Sequence, residues 1–223
     1  MQIPFVTGSL SVSGAVAATS GTVEDDDTGF GDITITPIIG WHAGNLHYST
    51  SLSIFVPIGE YDTATVDVPG RSINNALNFG TNRFAFDPAF AMTYLSKETG
   101  LEVSGSVGVT LSLENRKTDY QTAPELHAEG AVLQHLPSGL AFGVSAYAYQ
   151  QLGEDSGSGA ESFKDSVGAK SLKARVFGAG PILTYSAKIA NLPMSLKLKY
   201  VHEFGAKRRF ESEVLWGTVG VSF

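Results

Sequence analysis

The chain is patterned in period two. From Leu101 to Leu113, the odd positions carry Leu101, Val103, Gly105, Val107, Val109, Leu111 and Leu113. The even positions carry Glu102, Ser104, Ser106, Gly108, Thr110 and Ser112. Such alternation puts one class of residue on each face of a β-strand. The length of the run is as informative as its period. Strands of soluble sheets run about 5–6 residues, whereas a tilted strand crossing a bilayer needs about 9–11. The same pattern recurs over 32–41, 46–58 and 83–95, and further strands are expected at 5–19, 122–136, 139–152, 171–187, 193–205 and 209–223. These ten segments predict an all-β protein, an antiparallel transmembrane β-barrel formed as a single domain over residues 1–223. Segments 122–136 and 171–187 keep the alternation least well, and a bulge is expected there.

The connections alternate as well. Residues 42–45, 96–100, 136–139 and 187–193 form short turns, while 22–29, 59–82, 115–121 and 153–170 are mostly longer and polar; 206–209 is short on the long-loop side. Outer-membrane barrels have short periplasmic turns and long extracellular loops. That assignment puts both termini in the periplasm. The last strand ends on Phe223, a terminal aromatic like the signal read by the barrel-assembly machinery. A soluble sandwich or lipocalin-like barrel also alternates, but its outer face would carry Lys, Glu and Thr, not Leu, Val, Phe and Ile in succession.

Composition sharpens this picture. Charged residues are 17% of the chain, below the roughly 25% of soluble domains. Mean hydropathy is near zero, and no apolar run is long enough for a transmembrane helix. A barrel produces this mixture, because half of each strand meets lipid and half meets a polar lumen. The absence of cysteine excludes a zinc-finger or disulfide framework. The net charge of −7 argues against nucleic acid as a partner. The opening MQIPFVTGSLSVSG lacks the basic start and apolar core of a secretory signal, so an exported chain has lost that signal.

If the apolar face meets lipid, the other face lines the lumen. It would hold Asp32, Arg83, Asp87, Glu102, Glu125, His127, Glu129, His135, Lys173, Arg175, Lys197, Lys199 and Glu203, with Phe55, Tyr147, Tyr149 and Phe177 also pointing inward. The charges must pair or meet water, since an unpaired buried ion costs several kcal/mol. Two readings follow: ion pairs that brace the barrel, or residues along a permeation path. The aromatics form either lumen packing or an apolar patch for a solute. With ten to twelve strands the path is narrow or plugged, because about eight strands leave a filled interior and sixteen or more an aqueous channel.

Other chemistry is weakly signalled. Glu24–Asp27 is a run of carboxylates that reads as a solvated loop tip and not as a metal site. The stretch GEDSGSGAES reads as a flexible loop, lacking the lysine and helix of a phosphate-binding loop. An outer-membrane hydrolase would need histidine beside a nucleophile or paired with aspartate. Of His42, His47, His127, His135 and His202, only His127, between Glu125 and Glu129, stands in a carboxylate cluster, and no serine is placed near it by sequence. No catalytic residue, cofactor or enzymatic activity is expected.

The runs FGDITITPIIGWHAGNLHYS, RFAFDPAFAMTYLSKETGLEVSGSVGVTL, ENRKTDY, ELHAEGAVLQHLPSGLAFGVSAYAYQQLGEDSGSGA and RVFGAGPILTYS resemble the outer-membrane channel family named for the meta-pathway of phenol degradation. The resemblance covers nearly the whole chain from Phe30 onward. It implies a monomeric barrel of twelve strands in the bilayer, with lipopolysaccharide outside, that takes up small hydrophobic compounds. Against that count, the ten strands read here lack an N-terminal hairpin. The function expected is a passive channel for small hydrophobic or aromatic molecules. The alternatives are a narrow pore for small polar solutes and, more remotely, a hydrolase.

Overall fold

The computed structural model describes residues 4–16, 19–61, 65–68, 71–74, 78–189 and 192–221. Among these residues, fourteen strands and one helix follow in order: β1 (Phe5–Val16), β2 (Thr19–Phe30), β3 (Ile33–Ile35), β4 (Ile38–Ala43), β5 (Leu46–Val56), β6 (Thr65–Val68), β7 (Arg71–Asn74), β8 (Ala85–Leu95), β9 (Leu101–Ser112), β10 (Glu125–His135), β11 (Leu140–Gln151), α1 (Ser158–Ser166), β12 (Arg175–Ile189), β13 (Leu192–Lys207) and β14 (Glu213–Val221). Ten strands form one sheet, from β3 and β4 through β5 and β8 to β14, each paired antiparallel with its neighbour. β3 and β4 lie one after the other along the same edge of β5. The interruption falls at Thr36 and Pro37, where proline has no N–H to give to the ladder. β1 and β2 form a long hairpin, as do the short β6 and β7.

The two faces of the sheet differ as the alternation requires. Phe90, Met92, Tyr94, Val103, Val107, Leu111, Phe142, Val144, Leu183, Leu196 and Leu198 are exposed on one face. From Leu101 to Leu111 this outer face runs about 33 Å along β9, and at a tilt of about 40° it spans about 25 Å, the height of an outer-membrane apolar band. No helix among the described residues is long and apolar enough to cross a membrane. The opposite, inner face carries the polar set. Gly44, Gly100 and Gly139 close three short turns with φ of 60°, 72° and 85°, which side chains with a Cβ resist.

Three sequence expectations are corrected. Residues 22–29 are not a loop but part of β2, where Glu24, Asp25, Asp26 and Asp27 pair with Ser11, Leu10, Ser9 and Gly8. Four acids in succession break period two on both faces, so the strand was invisible to pattern. Residues 153–170 contain α1 and are not simply flexible. Segment 171–187 enters the sheet only at Arg175, although the bulge expected there is present, between Arg175 and Phe177. The extra strand β2 returns the chain to the start of the sheet, where Gly31 N donates to the Pro4 carbonyl. Phe223 lies outside the described residues.

The long loops are tied to one another. Asp32 accepts from Gly59 N at 3.0 Å, Thr81 N at 2.8 Å and Thr81 Oγ1 at 2.7 Å. Asp155 accepts from Ala123 N and the Tyr120 hydroxyl, and Asp119 accepts from Ser158 N and Oγ at the start of α1.

Candidate functional site

The inner face is built in layers, because each inward residue meets an inward residue on the next strand. In the middle these residues are small. Ser49 faces Ala91, Ala91 faces Ser106, and Thr93 faces Ser104, which faces Ala131, which faces Ser145. Longer polar side chains stand above and below this band.

Toward the long loops, Asp87 and His127 form a pair. His127 Nε2 lies 2.8 Å from Asp87 Oδ2 and 3.0 Å from Oδ1, and Thr110 donates to Oδ2 at 3.0 Å. The pair spans β9 and passes over Gly108. A Cβ added there would sit 2.5 Å from the His127 ring and 2.8 Å from Asp87 Oδ1. Beside it, the Tyr149 hydroxyl donates to Glu125 and the Tyr147 hydroxyl to Glu203. The Tyr147–Glu203 bond likewise spans β12 over Gly178, whose added Cβ would strike the Tyr147 ring. Arg209 lies over the Tyr149 ring, 4.4 Å from its centre. His127, Glu129, Tyr147, Tyr149, Val176, Glu203 and Arg209 surround a hollow of about 340 Å³.

Toward the short turns, Glu102 accepts from Ser104 at 2.6 Å and pairs with His135 at 2.7 Å. Glu102, His135, Glu129, Lys197, Lys199 and the small residues of the middle band line a second hollow of about 430 Å³. One wall of it is apolar: Leu133 and Ile182 are buried and pack with Ala131.

Of the residues singled out from sequence, Asp87, Glu102, Glu125, His127, Glu129, Tyr147 and Tyr149 stand on this one face. Phe55 joins them near the long-loop end, opposite Ala85 and Thr34. Arg83 precedes β8 beside these strands, and its buried Nε has no hydrogen-bond partner among the described residues. Lys173 precedes β12 and donates to the Leu152 carbonyl at 3.3 Å, so it belongs to a loop. Arg175 and Phe177 are corrected. They oppose Gln150 and Ala148, while Val176 and Gly178 oppose the inward Tyr149 and Tyr147. Both therefore take the outer face, where Phe177 meets Phe204 at 6.1 Å and Arg175 lies over Phe177. Polarity misled there: the inward positions of β12 hold Val176, Gly178, Gly180 and Ile182, and Gly178 leaves the space that the Tyr147 ring fills. Arg209 was missed, being read only as part of a turn. The pairing of Asp87 with His127 was missed too, and the inward glycine between them was the available signal.

Among the described residues, no group of three or more His, Cys, Asp or Glu is placed to hold a metal ion. The arrangement supports hydrogen bonding and charge pairing around an open middle.

A comparison with solved structures finds an outer-membrane channel from Pseudomonas putida F1, at 15% identity and a TM-score of 0.66, over 99% of this chain and 85% of that one. The fold is therefore that of an outer-membrane channel barrel. No curated protein matches the chain. The model of one family matches residues 2–219. The chain thus belongs to the family described as "Putative MetA-pathway of phenol degradation".

Proposed function

We propose that this protein is a passive channel of the outer membrane for small hydrophobic or aromatic molecules. One observation carries the reading: the band of Ser, Ala, Thr and Gly across the middle of the inner face, which leaves room between two charged layers. Packing there would have used large side chains, as in filled eight-stranded barrels. The apolar outer face supports a place in the bilayer, with the short turns toward the periplasm and the long loops toward lipopolysaccharide. The family name and the channel fold point the same way. The protein is read as monomeric, with barrel assembly directed from the C-terminal end.

A second reading, a narrow pore for small polar solutes, is favoured by the Asp87–His127 and Glu102–His135 pairs bordering the open band. An enzyme is disfavoured by geometry. The hydroxyl of Thr110 is engaged with Asp87 and not with His127, so His127 does not activate it as a base would.

Proteoliposome swelling and planar-bilayer recording test the proposal. Uptake of small aromatics should exceed that of sugars, and Ser106→Tyr should lower both the flux and the conductance. Large, stable conductance with fast sugar uptake would replace the proposal with a general porin.

A further inference from the structure

We infer that the hollow of about 430 Å³ is a subsite for the carboxylate of a small aromatic acid, held by Lys197 and Lys199. This rests on the channel reading above and narrows its substrate class. Both lysines come from β13 on the inner face, opposite Thr184 and Ile182. Among the described residues, Lys199 makes no ion pair or hydrogen bond, and Lys197 reaches Glu102 only through space. Glu102 is already engaged at both oxygens, by Ser104 and His135. Lys199 therefore faces the hollow without a paired carboxylate among the described residues, while Lys197 shares Glu102 with Ser104 and His135; a cation so placed draws an anion.

The wall beside them is apolar. Leu133 and Ile182 are 5% and 8% exposed. In the same wall Ser145 is 5% exposed, and its Oγ has no hydrogen-bond partner among the described residues. Paired cations beside an apolar surface match a molecule with a flat ring at one end and a carboxylate at the other. Glu129 stands with Ser106, 3.4 Å from its hydroxyl, and its charge turns a carboxylate away from the long-loop side and toward the lysines.

The test uses the full chain in planar bilayers, with benzoate and benzyl alcohol as probes of equal ring size. Benzoate should reduce chloride current at a concentration about tenfold below that of benzyl alcohol, and K197Q/K199Q should remove that advantage. Wild-type reversal potential in a KCl gradient needs no variant, and should show anion preference. Cation preference, equal block by both probes, or block unchanged in a folded K197Q/K199Q or K199Q variant would overturn the inference while leaving the channel reading intact. Fast sugar flux with no aromatic flux would overturn both.

Discussion

Asp87 and His127 meet across a strand that belongs to neither. Asp87 stands on β8 and His127 on β10, with their groups 2.8 Å apart over Gly108 of the intervening β9. Tyr147 and Glu203 repeat the arrangement over Gly178 of β12. In both cases a glycine clears the space through which two long side chains reach each other.

Gly108→Val should break the first of these contacts. Its side chain would occupy the space of the His127 ring, costing about 1–3 kcal/mol through overpacking. The midpoint of the heat-induced shift in gel mobility reads the loss. Gly105→Ala is the control: its nearest neighbour is Glu129 O at 3.5 Å, and the change expected is within about 0.5 kcal/mol.

Tyr147→Phe removes the hydroxyl that Glu203 accepts from, and should cost about 1 kcal/mol. Combined with Glu203→Gln, the losses should be less than additive, because the two groups share one interaction. Additive losses in denaturant unfolding would show that the contact contributes nothing.

The loops should loosen in acid. Hydrogen bonds from Ser158 hold the Asp119 carboxyl below its ordinary 3.8, and those from Ser171 and Leu172 hold Glu154 below its ordinary 4.5. A carboxylate with a depressed folded-state pKa stabilises above its unfolded value, and that contribution is lost as pH falls through the folded value. Amide protection at Ser158 and Leu172 should therefore be full at pH 6 and should fall below about pH 4. In Asp119→Asn, protection at Ser158 should be lower at pH 6 and should no longer change with acid.

Trp41 should report the lipid. It pairs with Tyr48 on the outer face, ring centres 6.0 Å apart, in the manner of interfacial aromatic girdles. In a Trp216→Phe background, brominated lipid should quench Trp41 strongly. Trp216 is opposite the inward Lys199, so Trp41→Phe should leave emission that such lipid quenches far less.

What was legible in the sequence follows from the two environments of a barrel wall. β5, β8 and β9 were readable because lipid demands apolar groups at every second position. β12 was not, since its inward residues Val176, Gly178, Gly180 and Ile182 are as apolar as its outward ones. β2 was masked by its acids, and α1 by its glycines and serines. The carboxylates, histidine and tyrosines of the inner face were individually visible. Their partners were not, because Asp87–His127 and Tyr147–Glu203 depend on register accumulated over two strand pairings.

That dependence has a mechanical consequence. A strand that slips by one residue turns every side chain to the wrong face and is rejected by lipid. A slip of two residues keeps each face correct, so the hydrophobic pattern offers no resistance to it. Contacts that bridge alternate strands do resist, because both the acceptor and its glycine gap would move out of line. Gly108 and Gly178 thus help to hold the register on which the shear of the wall depends.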